Sequence, residues 1–231
     1  DRWRQWHAPL RAKLDSGDAP SPVAEPLIYQ SMPGIGPADE GDLSAPAERL
    51  GAAIVKSARE AKLRTSWHQP DDAYETAIRS YVQGVMIGDG GRRFREDSRD
   101  LRTAAAFYGA VHSLSQVVLK VFSPGSPDFY QGAELWDTSL VDPDNRRAVD
   151  YDARRAMLES MPEGTPAPGF LSRLMSDWRS GAIKLFTIRR ALACRRLIES
   201  SHALAGYEPL DLEGDLAGHL CAFARRAGTR Q

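Results

Sequence analysis

Two cysteines in 231 residues, Cys194 and Cys221, give neither the spacing of a metal site nor a disulfide framework. They are read as buried, reduced thiols of a cytoplasmic protein. Charge of one sign is also missing: 30 basic residues stand against 31 acidic ones, a net of −1. Such a balance offers no field to recruit nucleic acid or an anionic membrane, so neither is expected as a partner. No apolar run is long enough to span a bilayer. There is no glycine-rich phosphate loop, no internal repeat and no low-complexity tract. What remains is ordinary for a soluble globular chain, 42% hydrophobic and 26% charged, with room for one large domain or two small ones. The first residue is Asp1 rather than a methionine or a signal sequence, which suggests a piece of a longer protein.

The pattern is mainly helical. Trp3, Trp6, Leu10 and Leu14 have helical spacing over 1–14, interrupted by Pro9. A stretch rich in Pro, Gly and Asp follows to Ser44, with a weak helix near 23–31 and a loop over Met32-Pro33-Gly34-Ile35-Gly36-Pro37. Ser44 reads as the cap of a helix to about Lys62 whose apolar stripe is Leu50, Ile54, Ala58 and Ala61. Pro70-Asp71-Asp72 opens the next, with Tyr74, Ile78, Tyr81, Val82 and Val85 on one face, and Gly88-Asp89-Gly90-Gly91 stops it. Helix resumes near Arg92, where Arg92, Arg93, Arg95, Arg99 and Arg102 alternate with Glu96, Asp97 and Asp100 as a solvated face. The run 104–121 is apolar on all sides and predicts a buried helix. Leu119-Lys120-Val121-Phe122, next to Ser123-Pro124-Gly125, predicts a short buried strand. Helices are expected at 152–160, 170–178 and 182–200, the last with Leu185, Ile188, Leu192 and Leu197 inward and an arginine-rich outer face. The short apolar segments 209–212 and 220–224 predict a hairpin.

Three blocks carry more than secondary structure. Ser123-Pro124-Gly125-Ser126-Pro127-Asp128-Phe129-Tyr130-Gln131-Gly132-Ala133-Glu134-Leu135-Trp136-Asp137 resembles the eighth barrel strand and following loop of the α-amylase-like glycoside hydrolases. Leu140-Val141-Asp142-Pro143-Asp144-Asn145-Arg146-Arg147, with Val149-Asp150-Tyr151 after it, narrows the likeness. So does Ser57-Ala58-Arg59-Glu60-Ala61-Lys62 followed by Thr65-Ser66-Trp67. In this order the blocks resemble the maltooligosyl trehalose synthases over nearly the whole chain.

The resemblance implies the C-terminal part of an α-amylase-like (β/α)8 barrel: a helical insertion at 1–100, the last barrel units at 101–200 and a truncated start of a β-domain at 201–231. It implies an intramolecular transglucosylation that turns the reducing-end α-1,4 linkage of a maltooligosaccharide into an α,α-1,1 linkage, with no metal or cofactor. Chemistry of that kind uses two carboxylates about 5 Å apart. By the family's order these, and an aspartate after a histidine, lie upstream of Asp1. No His-Asp pair occurs here, the five histidines preceding Ala8, Gln69, Ser113, Ala203 and Leu220. No catalytic residue is therefore assigned to this chain.

Binding residues are what this leaves. Asp142, Asp144, Asn145, Arg146 and Arg147 form a dense set of hydrogen-bonding groups suited to sugar hydroxyls, and Tyr130, Gln131 and Trp136 stand close by in sequence. Trp67 is a candidate stacking platform. The plainer alternatives are an Asp-Pro-Asp-Asn turn capping a helix, arginines pairing with Asp150 or Asp152, and Trp67 pinning two helices. Glu134 reads as a holder of loop geometry rather than an acid. Two rivals stand beside this reading: another amylase-like hydrolase or transglucosylase, and a helical interaction module with no enzymatic parent. A piece cut from a barrel would also leave barrel-facing apolar surface wet, so self-association or marginal folding is expected.

Overall fold

A computed structural model describes residues 1–35, 41–200 and 206–225. The chain divides into two compact units, one of residues 1–109 with 138–148, the other of 110–137 with 149–231. Helix dominates both.

In the first unit, α1 is Arg2–Trp6, β1 Ala12–Leu14, β2 Gly17–Ala19, α2 Ala24–Ile35, α3 Ser44–Ala61, α4 Asp72–Met86 and α5 Arg92–Asp97, and α6, Arg99–Phe122, begins there. The expected helix over 1–14 is broken by Pro9. It becomes a five-residue helix, a 3-10 turn at Ala8–Leu10 and the first strand of an antiparallel pair, with Ala12 opposite Ala19. Gly17, at φ +106°, opens β2 directly after the two-residue turn at Asp15 and Ser16. The expected loop at Met32-Pro33-Gly34-Ile35 is instead the last turn of α2, which carries Pro33 inside it. Buried Met32 and Ile35 draw that turn into the core, and burial outweighs the proline. Gly36 and Pro37 lie outside the described residues. Ser44 is not the cap of α3: it is the first helical residue, and its N–H donates to Asp42 Oδ1 at 2.8 Å.

The α4 expectation holds closely. Asp71 accepts from Tyr74 N at 2.9 Å as a side-chain cap, and Tyr74, Ile78, Tyr81, Val82 and Val85 are all buried. With Ile28, Leu50, Ile54 and Phe94 they form the core of this unit. Fully burying such side chains is worth roughly 1.5–3 kcal/mol each. Ionic groups are taken in with them, Glu25 most deeply. Glu25, 1% exposed, accepts from Arg11, Arg4, Tyr29 and Tyr81, and Tyr29 also meets His7 Nδ1 at 2.8 Å.

The arginine-rich stretch after Gly91 is not simply a solvated face. Arg95 donates to the carbonyls of Val85 and Gly88, closing the end of α4, and buried Arg102 donates to the carbonyl of Arg95.

The second unit holds the end of α6, α7 at Tyr151–Glu159, α8 at Phe170–Ser176, α9 at Ala182–Ser200, and a hairpin of β3, Tyr207–Pro209, with β4, Phe223–Arg225. The strand expected at Leu119–Phe122 is not there: these residues are the last turn of α6. A short apolar run cannot be told from a helical segment by its period, and among the described residues no strand pairs with it. The open carbonyls at the helix end are taken by arginines. Arg195 donates to the carbonyls of Val121, Ser123 and Gly125, and Arg225 to that of Phe122.

That role draws Arg195 into the interior, while Leu197, expected inward, is 73% exposed. The buried stripe of α9 runs instead through Leu185, Ile188, Ala191 and Arg195. Cys194 lies just off it and Cys221 on the hairpin connection, so both thiols are exposed, against expectation. The run 104–121 departs most. Only Ala110, Val117 and Val121 are buried, and Phe107, Tyr108, Val111 and Val118 are exposed.

Candidate functional site

The loop 138–148 belongs to the first unit, where α3 holds it. Arg49 on α3 grips the Asp144 carboxylate with Nε and Nη2, both at 2.8 Å, and donates to the carbonyl of Thr138 at 2.6 Å. Two helical turns on, Lys56 Nζ donates to the carbonyl of Asp142 at 2.6 Å and lies 3.1 Å from its Oδ1. Leu140 packs into the core, and its N–H donates to Asp144 Oδ2 at 2.7 Å. Asp144 is thus an internal strut. Its carboxyl is held below the usual range, first by the Arg49 hydrogen bond. Asp142 is held low by Lys56 in the same way.

With both aspartates pinned, Arg146 and Arg147 extend outward. Arg146 pairs with Asp142 at 3.2 Å and Arg147 with Asp144 at 3.3 Å; their carboxylate partners lie inside the loop rather than at Asp150 or Asp152. Asp150 caps α7 instead, accepting from Ala153 N. Asn145 is half-buried in the 3-10 turn of the loop.

Trp67 is also part of the first unit, at the tip of the turn between α3 and α4, and is 55% exposed. It does not pin two helices. One face of its indole lies over the Arg59 guanidinium, 4.9 Å from the ring centroid. Arg59 in turn holds Glu75 with two hydrogen bonds of 2.7 and 2.5 Å.

In the second unit, the segment after Pro127 is tied down at several points. Arg154 donates to Glu134 Oε2 at 3.0 Å and to the carbonyl of Gly132 at 2.9 Å, so Glu134 holds loop geometry. Trp136 donates Nε1 to the carbonyl of Trp178 at 2.6 Å. Lys184 donates to the carbonyl of Leu135 at 3.0 Å and lies 5.6 Å from the Trp136 ring. Burial lowers the pKa of that lysine. Gly181, at φ +77°, fits against the same segment, where a Cβ would come within 3.1 Å of Leu135 Cβ. Trp136 is accordingly half-buried and fixed, whereas Tyr130 is 50% exposed and Gln131 exposed.

Asp142, Asp144, Arg146 and Arg147 are therefore brought into one ionic cluster, Trp67 belongs to the same unit, and Tyr130, Gln131 and Trp136 to the other. Arg49, Lys56 and Lys184 carry these arrangements and were not singled out in the sequence, and Arg59 was named there only within the third block. The seven-residue interval between Arg49 and Lys56, which puts both on one face of α3, is the signal that could have found those two. Among the described residues no cluster of His, Cys, Asp and Glu could hold a metal ion, and no helix is long and apolar enough to cross a membrane.

No family model matches the chain. A curated protein of Mycobacterium tuberculosis H37Rv, named for maltooligosyl trehalose synthase, is 32% identical over 208 residues, 90% of this chain and 24% of that protein. A crystal structure of a maltooligosyl trehalose synthase superposes with a TM-score of 0.77 at 29% identity, over 96% of this chain and 28% of the other. The chain is related to the maltooligosyl trehalose synthases. The maltooligosyltrehalose synthase of Arthrobacter ramosus gives 0.69 at 34% identity, over 97% and 27% of the two chains. The chain spans about a quarter of the length of the curated maltooligosyl trehalose synthases it matches.

Proposed function

We propose that this chain is the portion of a maltooligosyl trehalose synthase that supplies substrate-binding loops to the conversion of a reducing-end α-1,4 linkage into an α,α-1,1 linkage. The observation that carries this reading is likeness at 29% identity and a TM-score of 0.77 over 96% of the chain. The substrate is a maltooligosaccharide, met in the first unit by Trp67 and the outward face of loop 138–148; in the second unit, taken by itself, Tyr130, Gln131 and Trp136 are the sugar-binding side chains. Arg146 and Arg147 meet sugar hydroxyls, while Asp142 and Asp144 shape the loop that presents them. A barrel origin for 101–200 draws its support from the Pro-Gly-Ser-Pro block and the family likeness alone, since α6 continues to Phe122.

Asp142, Asp144, Glu134 and Glu75 each face a cation that holds them in place. Paired carboxylates about 5 Å apart are what such chemistry uses. The chain incubated with maltopentaose should give no loss of reducing ends and no non-reducing product above a boiled control. It should still bind the sugar, and Arg147→Ala should weaken that binding. Turnover by the chain alone would overturn the division of labour, and unchanged binding by Arg147→Ala would remove loop 138–148 from the site.

A further inference from the structure

Trp67 is exposed, yet it is built in. Its indole rests on Arg59, whose guanidinium is fixed at both ends of the Glu75 carboxylate. Glu75 is fixed again by Thr65, whose Oγ1 donates to Oε1 at 2.6 Å, and Thr65 is only 3% exposed. The same hydroxyl accepts from Asp71 N at 3.0 Å, and Asp71 caps α4. Between these anchors the turn is closed by Ser66 N donating to the carbonyl of Gln69 and Gln69 N donating to Ser66 Oγ, both at 3.0 Å. A surface tryptophan gains little fold stability from such bracing, since an exposed cation–π contact is a weak one. A stacking face gains a great deal. Ordering a mobile side chain on binding costs affinity, and a ring already fixed avoids that cost.

We propose that Arg59 and Glu75 are positioning residues that hold Trp67 as a preformed stacking face for a glucosyl unit. This rests on the reading of Trp67 as a substrate contact. Arg59 backs one face of the indole with a flat cation, so the sugar's C–H surface meets the other. Glu75 fixes the guanidinium in its place over the ring through two hydrogen bonds, a task a flexible ammonium cannot perform.

The test uses the chain itself, titrated with maltopentaose by calorimetry, with time-resolved fluorescence anisotropy of Trp67 taken as the difference between the chain and its Trp67→Phe variant. Trp67→Ala should abolish most of the binding. Arg59→Met and Glu75→Gln should weaken it by roughly twofold to tenfold, the span expected from one side chain left to be ordered on binding. Both should also raise the fast, large-amplitude motion of Trp67 in the absence of sugar. Arg59→Lys, which keeps the ion pair but not the flat stack, should fall between them and guards against misfolding of the others. Wild-type affinity in Trp67→Ala would overturn the substrate contact. A weakened Trp67→Ala beside wild-type affinity and unchanged Trp67 motion in Arg59→Met and Arg59→Lys would overturn the positioning role alone.

Discussion

His7 shows how a single residue can govern the response of the first unit to acid. It is fully buried, meets Tyr29 through Nδ1, and burial lowers its pKa from 6.5 to about 4. Protonating it in place would create a cation without water to solvate it, a cost that the nearby Glu25 carboxylate only partly offsets and that Arg11 and Arg95 add to. The unfolded chain therefore binds the proton first, and stability falls as pH drops from about 6.5 to about 4. Each unit of depression is worth about 1.4 kcal/mol, so the loss is a few kcal/mol at most. Glu25, whose pKa is lowered by the hydrogen bonds that offset its burial, adds to the loss at the acid end. Thermal melts of His7→Gln across that range should be flatter than those of the parent chain. Parallel curves would mean that His7 does not set the slope.

At the scale of elements, α3 acts as a splint. Its Arg49 and Lys56 bind a loop 86 to 95 residues away in sequence, so the loop's shape depends on a helix that gives no local sign of it. Arg49→Ala would leave a largely buried Asp144 carboxylate without its bidentate partner. The expected cost is about 2 kcal/mol, or a fall in melting temperature of roughly 4–8 °C for a chain of this size. Trypsin should then cut after Arg146 and Arg147 several times faster, because the loop is released. Unchanged proteolysis would show that the loop keeps its shape without α3. The end of α6 is a second case of distant control, where Arg195 and Arg225 close a helix end that the sequence marks as strand.

On the scale of the whole molecule, the exposed apolar side chains of α6 matter most. Phe107, Tyr108, Val111 and Val118 are each more than a third exposed. A few hundred Å² of such surface left wet forgoes several kcal/mol at roughly 25 cal/mol per Å². Relatives about four times as long have more chain with which to cover it. The chain by itself should therefore self-associate or melt at low temperature. Sedimentation velocity over a range of concentrations, with a thermal melt, checks this: a monodisperse monomer of high melting temperature would mean that α6 needs no cover.

Much of this was legible in residues whose partners are near in sequence. The three blocks carried the family resemblance, and Asp71 capping α4 and the stripe from Tyr74 to Val85 follow from local spacing and side-chain type. Their energetics are decided within a turn or two, so the sequence by itself determined them. The short apolar run at Leu119–Phe122 was not decided locally, because strand and helix bury it equally well and the outcome turns on what lies beside it. Nor were the ion pairs that Asp142 and Asp144, offered by the sequence as sugar ligands, make with Lys56 and Arg49. A carboxylate on a turn looks the same whether it faces solvent or a guanidinium. Only the tertiary structure, by bringing α3 against the loop, chose between them.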